Sequence, residues 1–276
     1  VKQKRMLVQV LIYVLLGAAA LFCLFPLLMA LMNSFKTNRE LLTNVMSFPS
    51  TFNFDNFLRT FDKMNYLRSL GNTVFLAAGG VCLIVLFSAM AGWKICRTKT
   101  HLSAFLFGLF VFSMLIPFSS IMIPLFRVVL FLHIKNSLVG LVFVYAGLGV
   151  SMAIFLYHGF VKSIPIELEE SAVIDGCSSM QVFFYIIFPM LKPITAAVCI
   201  TNALWIWNDF LLPLIVISDN KKYTLLLSTN TLFGQYSNDW TAILSSLILA
   251  AIPVIIFYAF LQKQILHGIA DGAIKG

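Results

Sequence analysis

Long apolar runs separated by polar connectors dominate the pattern of this chain. Six of them lie near residues 9–32, 71–93, 102–126, 137–160, 191–217 and 241–262. Each reaches the roughly 17–25 residues that a helix needs to cross the hydrocarbon core of a bilayer. The expected fold class is therefore an all-α membrane protein with six transmembrane helices. An even number of crossings leaves both termini on one side. The first run follows Lys2, Lys4 and Arg5, as the core of a leader peptide would. Its stretch from Val10 to Met32 exceeds the ~7–15 apolar residues of such a core, so it is read as a retained span.

Composition agrees and removes other classes. Hydrophobic residues make up 60% of the 276 and charged residues 11%, and 27 positions are Phe. A soluble domain could not cover that much apolar surface, and disorder requires the opposite balance. The net charge of +8 sits mostly in connectors, where basic residues orient spans. No basic stripe alternates with aromatics, so no nucleic-acid partner is expected. Inner and outer Lys/Arg are nearly even. The N-terminal cluster and the tight Lys94-to-His101 connector decide the orientation, placing the termini in the cytoplasm. Cys23, Cys82, Cys96, Cys177 and Cys199 form no CxxC pair and the histidines are scattered, so free thiols and no metal site are expected.

Two connectors are long. Residues 33–70 carry Phe54, Phe57, Leu58, Phe61, Met64 and Leu67 at helical spacing with charges between them. This is an amphipathic surface helix, a docking face for an external partner, or both. Residues 161–190 hold more information. Pro165 suits a first helical turn, and Glu167, Glu169 and Glu170 follow near the positive helix end. Gly176 supplies a left-handed cap. Ser178 and Gln181 form a capping box for a second helix, which Pro189 and Pro193 separate from the fifth run. The result is a helix-turn-helix hairpin between spans four and five, with unpaired acids among Ile164, Ile166, Leu168, Ala172 and Ile174. It is either packed on its own membrane domain or built to plug into another protein. Asp175 is placed to hold the corner through local backbone N–H groups.

The hairpin resembles the EAA loop of binding-protein-dependent ABC importer permeases. That pattern is Glu-Ala-Ala, three residues, Gly, nine residues, Ile, any residue, Leu-Pro. Here Glu170-Ser171-Ala172, Gly176, Ile186 and Phe188-Pro189 occupy it, with Ser171 for Ala and Phe188 for Leu. Asn33-Ser-Phe-Lys36, Asn72-Thr73, Trp207-Asn-Asp-Phe210 with Pro213, and the ending Gly268 to Gly276 are similar to the carbohydrate branch, the maltose-type second permease in particular.

The resemblance implies a single transmembrane permease domain in a bacterial plasma membrane. Its partners would be a second homologous permease, two cytoplasmic ATPases, an external sugar-binding protein and membrane lipid. Glu167, Glu169, Glu170, Ser171, Ala172, Asp175, Gly176, Ile186 and Pro189 would couple to the ATPases. The tail 268–276, with Gly268, Asp271, Gly272 and Lys275, would be a thin, flexible contact to the same subunits. The solute would be a di- or oligosaccharide, or alternatively a monosaccharide or glycerol-phosphate-type solute.

Other functions fit less well. The chain has no G-x-x-x-x-G-K-[ST] loop, so no cofactor is expected here, and ATP with magnesium would belong to partner subunits. No nucleophile–base set or carboxylate pair suggests an enzyme. An ion-coupled transporter needs ionisable groups near the midplane. Asp209, the exception among nearly carboxylate-free spans, lies about 25 Å above the inner interface at 1.5 Å per residue. Asn202, Trp205, Asn208 and Asp209 offer sugar-binding chemistry along a translocation path. They equally suit interfacial anchoring and interhelical contacts.

Overall fold

The computed structural model describes residues 2–234 and 238–273, and among these the secondary structure is entirely helical. Helices α1 (Lys2–Ser34), α4 (Tyr66–Arg97), α7 (Leu138–Val161) and α14 (Trp240–Ala273) each contain a stretch long and apolar enough to cross a membrane. Two further stretches qualify only as bent pairs. In the first, α5 (His101–Ser113) and α6 (Phe118–Phe131) meet at 107°. In the second, the helical segment Ser179–Met190 meets α11 (Lys192–Asn208) at 76°.

Two of the sequence-derived spans are broken in the structure. Run 102–126 is not one straight helix. After Ser113 the N–H groups of Met114, Leu115 and Ile116 each donate to a carbonyl three residues back. Pro117, which has no N–H to continue the ladder, then turns extended at ψ 141° before α6. Run 191–217 likewise stops at Asn208. Asp209 is extended (φ −79°, ψ 124°), and a short α12 (Leu211–Val216) follows.

Exposure is inverted relative to a soluble protein. Leu15, Phe22 and Leu28 of α1, Phe105 and Phe112 of α5 and Phe131 of α6 are exposed, whereas Ser88, Asn202, Ser245 and Ser246 are buried. Some buried hydroxyls return to their own helix, as Ser245 Oγ does to Thr241 O (2.8 Å) and Ser246 Oγ to Ile243 O (2.6 Å), while Ser88 Oγ donates to Val150 O of α7 (3.3 Å). Backbone polarity is thus satisfied within helices and apolar side chains face out, which is the solution a lipid solvent requires.

The chain forms two compact units, Val1–Tyr66 with Ser228–Pro253, and Leu67–Leu227 with Val254–Gly276. In the first unit, α2 (Asn38–Thr43) and α3 (Asp55–Lys63) lie in the long connector. The expected apolar face of α3 is only partly realised, since its buried positions are Asn56 and Thr60. Asn56 Nδ2 donates to Ser34 O and Lys36 O, both at 2.8 Å. Leu58 and Phe54 stay exposed, and Phe54, Phe52 and Phe57 ring Phe35 at 5.1–5.4 Å. Lys36 is fully buried and donates to Asn44 O (3.0 Å) and Val45 O (3.2 Å). Arg59 pairs with Asp239 at 2.8 Å. Partial burial pushes the Asp239 carboxyl up, but the Thr241 hydroxyl, the Ala242 N–H and Arg59 outweigh it and hold it below the usual carboxylate value.

In the second unit, α4 approaches α7 through glycines. A Cβ on Gly79 would sit 3.1 Å from Val142 Cγ2, and one on Gly92 would sit 2.8 Å from Tyr157 Cβ. Helix α7 is tied to the fifth helical stretch by Tyr157 Oη donating to Thr195 Oγ1 and Tyr145 Oη donating to Asp209 Oδ2, each at 3.0 Å. The core gathers Leu76, Ile84, Tyr145, Tyr157, Phe183 and Ile206 around these contacts.

Candidate functional site

The hairpin consists of α8 (Glu167–Ile174) and a second arm made of α9 (Ser179–Val182), a π-helical turn (Phe183–Ile187) and α10 (Phe188–Met190). Gly176 has φ +86°. The Cys177 N–H reaches Ala172 O (2.9 Å) and the Gly176 N–H reaches Val173 O (3.0 Å). That is the paired closure of a Schellman cap, and it uses the left-handed conformation glycine adopts freely. The capping box at Ser178 and Gln181 forms in both directions. Pro189 does not separate the second arm from the fifth run as its sequence position suggests. The π turn widens the ladder so that the Phe188 N–H bonds Phe183 O, and the chain bends one turn later, at Leu191.

The side chains divide into two faces. Ile164, Glu169, Ala172, Val182, Phe183 and Ile187 are buried. Glu167, Glu170, Ser171, Asp175, Gly176 and Pro189 are exposed, as are Ile166, Leu168, Val173 and Ile174, while Ile186 is half-buried. Ile174 is 84% exposed. Glu169 corrects the expectation of unpaired acids. Its Oε1 accepts from Arg97 Nε at 2.8 Å and its Oε2 from Trp93 Nε1 at 2.9 Å, while a second Arg97 nitrogen donates to Ile164 O at 2.7 Å. Asp175 also differs from expectation. Its own N–H donates to Ser171 O (3.0 Å), and among the described residues its carboxylate makes no hydrogen bond, so the corner is closed by backbone.

The fifth-run residues split as well. Asn202 is buried and donates to Val198 O at 2.9 Å. Asn208 is exposed and donates to Leu204 O at 2.8 Å. Trp205 stands edge-on to Tyr145, 5.5 Å between centroids. Asp209 accepts from Tyr145 and, through Oδ1, from the N–H groups of Leu211 (3.1 Å) and Leu212 (3.4 Å). These four therefore make structural contacts within the chain. Near them an apolar cavity of about 570 Å³ is lined by Ala78, Cys82, Ala196, Cys199, Trp207 and Phe257, among others. Gly268, Asp271 and Gly272 lie on α14, which stays helical through Ala273 rather than thinning into a flexible tail. Lys275 lies outside the described residues.

Sequence reasoning missed Trp93, Arg97 and Tyr145. In the sequence Arg97 is one charge of the basic Lys94-to-His101 connector. Its position at the end of a span, with three acids in another connector, is a signal that it has a partner.

Residues 84–270 match the family described as the binding-protein-dependent transport system inner membrane component. The chain belongs to this family. Its members are transport permeases, not enzymes, and the match covers the whole hairpin. Among similar relatives is a protein named probable starch degradation products transport system permease protein AmyC from Thermoanaerobacterium thermosulfurigenes. It is 38% identical over 256 residues, covering 93% of each chain. The multiple sugar-binding transport system permease protein MsmG of Streptococcus mutans is 34% identical, covering 95% of this chain and 96% of its own. The melibiose/raffinose/stachyose import permease protein MelC of Bacillus subtilis is 33% identical over 83% of both. A solved bacterial ABC transporter, described as importing the acidic polysaccharide alginate, shares the fold of this permease. Its TM-score is 0.80 and its identity 22%, with 94% of this chain and 96% of that chain covered.

Proposed function

We propose that this chain is one permease subunit of an ATP-driven importer that carries a di- or oligosaccharide into the bacterial cytoplasm. It is a single transmembrane permease domain in the plasma (inner) membrane, with the bent α5–α6 pair and the α11 stretch each counting as one crossing and the hairpin outside the membrane. Six crossings leave both termini cytoplasmic. A second homologous permease completes the pathway, two cytoplasmic ATPases hold ATP and magnesium, and an external binding protein delivers the sugar to segments 33–70 and 218–240. The sugar class is supported by the names of relatives at 33–38% identity over most of their length.

The observation that carries the coupling role is the hairpin's outer face. A rigid corner at Gly176 presents Val173, Ile174, Glu170 and Ser171 to solvent beside a core-anchored inner face. One exposed Glu170 pair with a basic residue would contribute only about 0.2–1 kcal/mol. Burying the exposed aliphatic side chains contributes more, at about 1.5–3 kcal/mol for each fully covered residue. Photocrosslinking from position 174 tests the assignment. Label is expected on a cytoplasmic ATPase, and label on an external protein would reverse the topology.

A further inference from the structure

We propose that Glu169, Arg97 and Trp93 form a rigid clamp that makes the hairpin and α4 move as one body. In this arrangement Glu169 and Arg97 are positioning residues for coupling. The proposal rests on the functional reading above and adds the route by which force leaves the hairpin. Two joints flank the hairpin. One is the non-helical stretch Lys162–Ile166 after α7, and the other is the 76° bend at Leu191 before α11. Held by these alone, the hairpin could pivot when a partner pushes on it. Its apolar underside adds attraction that is not directional and permits sliding.

The clamp supplies direction. Trp93 and Arg97 are four residues apart, hence on one face of α4, a turn from each other. Between them they hold the hairpin at three places. Arg97 bonds Ile164 O at the entry (2.7 Å) and Glu169 Oε1 in the first turn of α8 (2.8 Å). Trp93 bonds Glu169 Oε2 (2.9 Å), and its ring lies 5.5 Å from that of Phe183 in the second arm. Both carboxylate oxygens are used. The ion pair is largely shielded, with 18% of the Arg97 side chain and 11% of the Glu169 side chain exposed. Charge-assisted bonds of this geometry fix orientation as well as distance.

The α4 end of the clamp is stiff too, because Gly92 brings α4 against the Tyr157 side chain and the His158 backbone. Helix α4 is continuous from Arg97 back to Tyr66, and Val74, Ala77, Ala78, Val81 and Cys82 line the apolar cavity shared with α11. A displacement of α8 is thereby delivered to the wall of that cavity rather than absorbed at a joint.

The test uses the complete importer, both permeases, ATPases and binding protein, in proteoliposomes. The readout is ATP hydrolysed per sugar imported. Glu169→Gln and Arg97→Gln should raise that ratio roughly five-fold or more, the range of one coupling interaction. Trp93→Phe, which keeps the ring and loses one N–H, should raise it less. The charge reversal Glu169→Arg with Arg97→Glu should recover little of the loss, because Trp93 Nε1–H would then face a donor and Ile164 O a carboxylate. Wild-type ratios in both Gln variants would overturn the proposal. So would a wild-type ratio in Trp93→Phe if the Gln variants fail to assemble, since the cluster would then serve folding alone. A wild-type complex that imports no sugar with ATP would overturn the functional reading itself, before any variant is made.

Discussion

Replacing Gly176 separates what the backbone needs from what a partner needs. The residue sits at φ +86°, and a Cβ built there meets nothing within 4 Å. Alanine therefore costs only the strain of holding an L-residue in the left-handed region, about 1–2 kcal/mol. Leucine adds bulk that points into open space within this chain, so in the isolated permease it should cost the same as alanine. Asparagine tolerates the left-handed region and should cost less than either. In the assembled importer the order should change. If the corner seats in an ATPase, leucine should cost far more than alanine in ATPase retention and sugar uptake. The assay compares denaturant unfolding of the solubilised permease with co-purification of the ATPases for Gly176→Ala, Gly176→Asn and Gly176→Leu. Leucine markedly worse than alanine in the isolated chain would refute the open space around Gly176. Leucine equal to wild type in assembly and uptake would refute the hairpin as the coupling element.

Three further outcomes are expected. Gly92→Ala should destabilise by about 1–3 kcal/mol through overpacking, because its Cβ would lie 2.8 Å from Tyr157 Cβ and 3.1 Å from the His158 backbone nitrogen, whereas Gly159→Ala, with open space, should not; denaturant unfolding compares the two. Lys36→Met should cost about 1–3 kcal/mol by leaving the Asn44 and Val45 carbonyls without their donor, read as earlier proteolysis of the 44–45 segment. Asp239 has a folded pKa below its ordinary value of 3.8. Its contribution is thus complete above that value and is lost as pH falls through the lower folded one. Asp239→Asn should flatten the acid limb of the stability profile, and an unchanged limb would contradict the contacts that Thr241, Ala242 and Arg59 make with the Asp239 carboxylate.

What the sequence made legible follows from the kind of signal involved. Four of the six apolar runs, the Gly176 corner and the Ser178–Gln181 box are local signals, and each formed where the pattern put it. The bend at Pro117 is equally local, but hydropathy stays high through the break and hides it. Pro189 misled for a different reason. A π turn absorbed its missing N–H, and a propensity for breaking helices does not reveal that escape. The internal partners were out of reach. Glu169 reads as one of three equivalent acids until α4 brings Trp93 and Arg97 to it across more than seventy residues. Asp209 likewise shows no internal partner in the sequence until Tyr145 is brought to one of its oxygens. Side-chain pairing between spans depends on helix rotation, which the near-uniform apolar faces of α7 and α11 do not encode.

The central claim, that this chain imports sugar only as the membrane part of an ATP-driven assembly, is tested most directly by uptake in proteoliposomes. Radiolabelled maltooligosaccharide and raffinose are offered with and without ATP, the ATPases and the binding protein. Accumulation of one of these sugars is expected only when all components are present. Uptake by the purified chain alone, or driven by an ion gradient without ATP, would contradict the account.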